Sequence, residues 1–224
     1  MKELNVSKLK AVVFDWDNTL AQSGPALVCS VNRVLEKFGL PAWDVMKLKR
    51  NNNLSFQDNF PLLFGENHKK AYDLYRQIYM KTAAENIKAY KFAYPVLRFF
   101  KKRHIPICLM TNKDRLLLDF ELPILFEPEI FSSVVCGHEA KENKPSSSHL
   151  FETLKSIVPC EEISPQSVWV VGDSPQDSSC ACACGALSIR IGRALWEEDK
   201  TVPENCIFFD SFVDFYQSLL LSNP

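Results

Sequence analysis

The sequence lacks an excess of charge of either sign. Its 26 Lys and Arg side chains face 27 Asp and Glu, a formal net charge of −1. No broad basic face is implied, so nucleic acid is not expected as a partner. Long hydrophobic runs are absent too. No apolar stretch approaches the ~18 residues that a membrane-spanning helix needs, and no membrane partner is expected. The opening "MKELNVSKLK" has no apolar core of the secretory kind. There is no internal repeat and no low-complexity tract. Histidine is scarce, with four in the chain, and "GHEAKE" (137–142) misses the zinc-protease pattern because position 142 is Glu. Zinc-type C-x2-C spacing is missing as well, although the chain has eight cysteines. In "CACAC" (180–184), a helix would place Cys180 and Cys184 on one face and Cys182 nearly opposite, which suits small buried apolar residues. The cysteines read as reduced thiols of a cytoplasmic protein.

What is present is a rhythm. The 224 residues are 46% hydrophobic, enough to build a sizeable core. Four short apolar runs read as buried strands: "AVVFD" (11–15), "IPICLMT" (105–111), "SVWVVGD" (167–173) and "ALSIRI" (186–191). Two weaker runs are "FSSVVC" (131–136) and "CIFFD" (206–210). Helical patterns separate most of them. Val96, Leu97, Phe99 and Phe100 precede the second strand; Leu116, Leu117, Leu118 and Phe120 follow it; His149, Leu150, Leu154 and Ile157 precede the third. Strands alternating with helices predict an α/β fold, a doubly wound parallel Rossmann-like sheet.

Residues 23–91 break the rhythm. Leu27, Val28, Val31, Val34, Leu35 and Phe38 recur at helical spacing, with Gly39 placed to end the helix. Ala71, Leu74, Tyr75, Ile78 and Tyr79 make a second stripe. Between them, "NNNLSFQDNFP" (51–61) reads as a loop feeding a short helix, with Ser55 and Asp58 as a relative of the capping box. The economical division is an all-helical cap domain at 23–91 inserted into a core made of 1–22 and 92–224.

Four pieces of chemistry fall at predicted strand ends, where open parallel sheets hold their ligands. Asp15 closes the first strand, and Asp17 follows two residues on, where one carboxylate can attack an electrophile while the other handles protons. The same acids could be an ordinary strand-end turn. A calcium loop fits poorly, since its sixth position would be Leu20 and its twelfth Ala26. Thr111 closes the second strand, and its hydroxyl with the amides around Asn112 suits a phosphate oxygen; an ordinary helix cap is the plainer reading. Lys144, in "KENKPSS", could neutralise phosphate charge, or be a solvated loop residue. "VVGDSPQD" brings Gly172, Asp173 and Asp177, whose hard oxygens suit Mg²⁺ or, more plainly, cap the next helix.

In this order the four pieces resemble the haloacid dehalogenase superfamily, specifically its phosphoglycolate phosphatase-like members with a small helical cap. D-x-D-x-T matches Asp15, Asp17 and Thr19; the strand-end Thr matches Thr111; the Lys of a K-P pair matches Lys144; G-D-x-x-x-D matches Gly172, Asp173 and Asp177. The resemblance implies a Mg²⁺-dependent phosphatase for a small phosphorylated metabolite, such as 2-phosphoglycolate. Asp15 would be the nucleophile and Asp17 the acid and base. Thr111, Asn112 and Lys144 would bind phosphate. Asp15, Asp17 (through its carbonyl) and Asp173 would hold the metal, with Asp177 beside it or orienting Lys144. Arg50, near Lys47 and Lys49, could read a substrate anion from the cap, or belong to a solvated face. The family's dehalogenases lack the second Asp, so Asp17 points away from them. Its phosphomutases commonly carry Gly-Val where this chain has Asn18-Thr19. A mutase, or a non-catalytic binding protein on the same scaffold, is the alternative. Two departures from the pattern, Gln22 in place of an acid and Lys144-Pro145-Ser146-Ser147 in place of K-P-x-P, bear on substrate fit.

Overall fold

A computed structural model describes residues 4–43, 55–192 and 206–222. Arg50, Lys47 and Lys49 lie outside the described residues. All six apolar runs are strands: β1 (Ala11–Phe14), β2 (Ile107–Met110), β3 (Ser133–Val135), β4 (Val168–Gly172), β5 (Leu187–Ile191) and β6 (Cys206–Phe209). They form one parallel sheet in the order β3-β2-β1-β4-β5-β6. The chain leaves β1 towards one edge, then returns past it to build the other. The crevice at the carboxyl end of β1 is therefore the topological switch point, the place where such sheets bind ligands.

Alternation along each strand sorts the core into two layers. Val12, Phe14, Ile107, Leu109, Trp169 and Val171 face one side. There they meet α4 (Ala93–Lys102) and α8 (Phe212–Ser222), including Phe100 and Phe215. Ala11, Val13, Cys108, Met110, Val168 and Val170 face the other, against Leu150 and Leu154 of α6 (Ser147–Leu154) and Cys180 of α7 (Pro175–Ala183). Both faces are covered, which is why these strands read as unbroken apolar runs. Cys180 is fully buried, Cys182 is exposed, and all eight cysteines are free thiols.

Among the described residues, the stretch between β1 and α4 holds helices and no strand, as its spacing predicts. α1 (Gly24–Lys37) ends at Gly39, whose φ of +69° supports a bond from Leu40 N–H back to the Leu35 carbonyl. Ser55 and Asp58 do form a reciprocal cap: Asp58 N–H donates to Ser55 Oγ at 3.1 Å and Ser55 N–H to Asp58 Oδ2 at 3.3 Å. The 3-10 turn they open leads into α2 (Phe60–Phe64), which docks on α3 (His68–Asn86). Phe60 sits among Phe56, Phe64, Tyr72 and Tyr75 at ring separations of 4.9–5.5 Å. The buried stripe of α3 is Ala71, Tyr72, Tyr75, Tyr79 and Ala83; Leu74 and Ile78 are only half-buried. The insertion leaves and rejoins the core side by side. Gln22 N–H donates to the Lys88 carbonyl and Tyr90 N–H to that of Leu20.

α5 (Arg115–Leu125) departs from its predicted face. Leu117, Leu118, Glu121 and Leu122 are buried, whereas Leu116 is half exposed. A wholly buried glutamate occupies a core position, and its partners are part of the site. Among the described residues, no helix is long and apolar enough to cross a membrane.

Candidate active site

The turn after β1 is tight. Thr19, Leu20 and Ala21 N–H groups all point at the Trp16 carbonyl, at 3.0–3.2 Å. Asn18 takes a φ of +59°, which Asn tolerates better than most residues, and its Oδ1 accepts from Gly24 N–H at 3.1 Å. This geometry swings Asp15 and Asp17 to the strand's carboxyl end. Thr19 Oγ1 donates to Asp15 Oδ2 at 3.1 Å, so the third residue of the motif orients the first.

Lys144 reaches the same point from the loop before α6. Its Nζ donates to Asp15 Oδ1 at 2.5 Å, Asp177 Oδ1 at 2.6 Å and the Met110 carbonyl at 3.0 Å. Burial works against its charge, but Asp15 and Asp177 outweigh that and hold its pKa well above the usual lysine value. The backbone of Lys144 is clamped as well. Asn112 Oδ1 accepts its N–H and Asn112 Nδ2 donates to its carbonyl, both at 2.9 Å. The Asn112 carboxamide is thus engaged with Lys144, which leaves the Asn112 backbone N–H to serve an anion. Thr111 Oγ1 accepts from Lys113 N–H at 3.1 Å, leaving its own proton to donate.

At the end of β4, Asp173 is buried beside Asp15, and Asp177 follows on α7. Asp177 completes a capping box with Ser174, its Oδ2 accepting Ser174 N–H at 3.1 Å. Gly172 is required here: a Cβ would lie 2.3 Å from the Asp177 carboxyl. Gly137 likewise lets its loop pass Asn112, whose carbonyl oxygen would lie 2.6 Å from a Cβ. Oxygens of Asp15, Asp173 and Asp177 fall within 4.8 Å of one another. Burial raises Asp15 to about 7, against the pull of Lys144. Burial and the neighbouring Asp15 and Asp177 raise Asp173 well above the carboxylate range. Three hard carboxylates under mutual repulsion, with too little positive charge between them, fit a small divalent cation. Both Asp177 oxygens accept hydrogen bonds, from Lys144 and Ser174, as both Asp15 oxygens do from Lys144 and Thr19, so Asp173 carries the carboxylate least engaged by the protein. The Asp17 carboxylate is turned away to Lys113, with Oδ1 2.8 Å from Nζ.

Lys113 had no assigned role in the sequence reading, and neither did His149, which turns out to serve Lys144. Lys144 N–H also donates to His149 Nδ1 at 3.1 Å, which fixes the neutral tautomer with its proton on Nε2 facing the Val135 carbonyl. Burial, reinforced by Lys144, lowers His149 to about 4. An unfolded chain therefore binds this proton at higher pH than the folded one, and stability falls as pH drops from about 6.5 to about 4. Relative to His149→Gln, the parent is expected to lose about 3 kcal/mol across that window. Denaturation midpoints of the two proteins, measured at each pH, check this; parallel curves would refute it.

At the strand ends lies a cavity of about 110 Å³. Asp15, Asp17, Thr111, Lys144 and Asp173 form one wall. Phe56, Gln57, Tyr72 and Tyr75 of the helical insertion contribute the other.

Comparison with known proteins shows the family. The haloacid dehalogenase-like hydrolase family matches residues 12–191. The phosphoglycolate phosphatase of Chromobacterium violaceum is 27% identical over 198 residues, spanning 84% of this chain and 87% of its own. That of Neisseria gonorrhoeae is 26% identical over 230 residues, spanning 96% and 94%. Among solved structures, CbbY from Rhodobacter sphaeroides in complex with phosphate superposes with a TM-score of 0.77 at 17% identity, covering 92% of this chain and 96% of that one. A putative beta-phosphoglucomutase from Thermotoga maritima gives 0.71 at 19% identity, covering 95% and 98%. At these identities the solved structures speak for the fold alone.

Proposed function

The chain belongs to the haloacid dehalogenase-like hydrolases, and from that premise we propose that it is a Mg²⁺-dependent phosphatase acting through an aspartyl-phosphate on Asp15. It is a phosphoric monoester hydrolase. The observation that carries the finer reading is the convergence of Asp15, Asp17, Thr111, Lys144 and Asp173 on one cavity at the switch point of the sheet.

Asp15, freed from Lys144 as phosphate takes over that contact, attacks phosphorus through a carboxylate oxygen. The bond from phosphorus to the leaving oxygen breaks, and Asp17 delivers the proton that makes it an alcohol. Asp17 then takes a proton from the water that hydrolyses the aspartyl-phosphate, returning Asp15 as a carboxylate. The Thr111 hydroxyl, the Asn112 N–H and the Lys144 ammonium hold the phosphoryl oxygens. Asp177 and His149 keep Lys144 in place. Asp15, Asp173 and the Asp17 carbonyl would hold Mg²⁺, which supplies charge neutralisation for the phosphoryl group. Positioning and fixed charge carry most of the catalysis.

A 110 Å³ cavity suits a small phosphomonoester, and the named relatives make 2-phosphoglycolate the first candidate. We place the cap at 23–91, closing over the site from Phe56, Gln57, Tyr72 and Tyr75, with Arg50 as its anion reader. The cytoplasm is the compartment that suits eight free thiols. Phosphate release from a panel of small phosphomonoesters, with Mg²⁺ and with chelator, tests the reading. Mg²⁺-dependent release supports it. Halide release from a 2-haloacid without metal would overturn it in favour of a dehalogenase. An isomeric sugar phosphate appearing without inorganic phosphate would favour a mutase.

A further inference from the structure

Lys113 sits two residues beyond Thr111 with its ammonium almost wholly buried. Three groups from three parts of the chain surround it. Asp17 Oδ1 lies at 2.8 Å, Tyr79 Oη on α3 at 2.9 Å and Glu121 Oε2 on α5 at 3.1 Å. Glu121 is held in turn. Its Oε2 accepts Trp16 Nε1–H at 2.6 Å, and its Oε1 accepts the Tyr79 hydroxyl. Burial opposes the charge on Lys113, but Asp17 and Glu121 outweigh it and keep the ammonium protonated. A buried ion pair of this kind is a poor device for stability, because desolvation cancels most of its attraction. It is a good device for fixing one geometry.

We propose that Lys113 is the positioning residue for Asp17. It holds Oδ1, so that Oδ2, which has no partner among the described residues, is aimed into the cavity at the leaving oxygen. Glu121 and Tyr79 seat Lys113, and Glu121 cancels its charge, so Asp17 is oriented with no net charge added beside it. Lys113 transfers no proton itself. The Tyr79 contact makes the alignment depend on α3, the helix whose Tyr72 and Tyr75 wall the cavity.

This rests on the phosphatase reading with Asp17 as proton donor, and the test separates the two. Lys113→Met keeps length and removes the charge. Its substrates are an alkyl phosphomonoester, whose leaving oxygen must be protonated, and 4-nitrophenyl phosphate, whose leaving group departs without help. The expected result is a fall in kcat of about 100-fold on the alkyl ester with KM changed less than about threefold. The first-turnover burst of nitrophenolate should remain within about fivefold of the parent. An equal fall in the first-turnover rate on both substrates, or a change confined to KM, would overturn the proposal. A parent enzyme that releases phosphate from neither ester would instead sink the phosphatase reading. Should Lys113→Met fail to fold, Tyr79→Phe decides. It removes one hydroxyl, and a smaller loss with the same preference for the alkyl ester supports the proposal, whereas a uniform loss or none overturns it.

Discussion

Asp15→Asn is expected to abolish turnover, lowering kcat by at least about 10⁴-fold, while leaving the protein folded. The second half of that statement makes the first informative. In the chelated protein the Asp15 carboxylate is a burden: burial and the nearby Asp177 and Asp17 carboxylates raise it to about 7, with only Lys144 in opposition. An acid whose pKa is raised in the folded state binds its proton more tightly there than when unfolded. Stability is therefore lost as pH rises through that window. The amide removes the loss, keeps an oxygen for Lys144 and keeps nearly the same volume. At pH 8 with chelator, the denaturation midpoint of Asp15→Asn should equal or exceed that of the parent. Undiminished phosphate release by the variant would remove Asp15 as nucleophile. A collapsed midpoint would show that Lys144 needs the full charge to stay buried.

Lys144→Met should fail in the opposite way, losing both activity and stability. The ammonium is bonded to two buried carboxylates and one carbonyl, at 2.5–3.0 Å. Asp173, also buried, adds a third carboxyl group nearby. Removing the cation leaves these acids uncompensated, a loss of about 3–5 kcal/mol for a broken buried pair. Added Mg²⁺ should then raise the denaturation midpoint of the variant more than that of the parent, since it becomes the main positive charge among the carboxylates. An unchanged midpoint, or no greater response to Mg²⁺, would contradict the charge arrangement described for the site.

Much of the sheet was legible because two-sided burial writes itself into sequence as short apolar runs. "AVVFD" and "SVWVVGD" carry that mark and end on the acids that matter. Even the weaker "FSSVVC" and "CIFFD" are strands, and they form the two edges of the sheet. Asp15, Thr111 and Asp173 were readable for a related reason: a strand end in a parallel sheet points at a common edge. Lys144, in the loop before α6, was readable through its K-P pair and its place in the order of the motifs. Lys113, Glu121 and His149 were not. Lys113 and Glu121 take their meaning from partners far away in the chain, 96 residues in the case of Lys113 and Asp17 and 105 in that of Glu121 and Trp16; His149 takes its own from the turn that brings the Lys144 backbone onto its ring. A signal for Glu121 did exist, since it falls at helical spacing with Leu117, Leu118 and Leu122, where an acid at a core position calls for a partner. The aromatic packing of the cap was half legible. α3 shows its periodicity, but Tyr72 rather than Leu74 faces inward, where its ring packs against Phe60 of α2.

The insertion departs and returns through adjacent hydrogen bonds, Gln22 to Lys88 and Tyr90 to Leu20. To the sheet, everything between them is a closed loop whose ends are already tied. Loop-closure entropy grows only with the logarithm of length, so apart from α3, which Tyr79 ties to Lys113 and Glu121, the segments there can be lengthened or shortened with little penalty to the strands beneath. The cavity wall that the insertion supplies is thereby freer to diverge than the wall held by register and burial. Such a scaffold can change its diet without relearning how to fold.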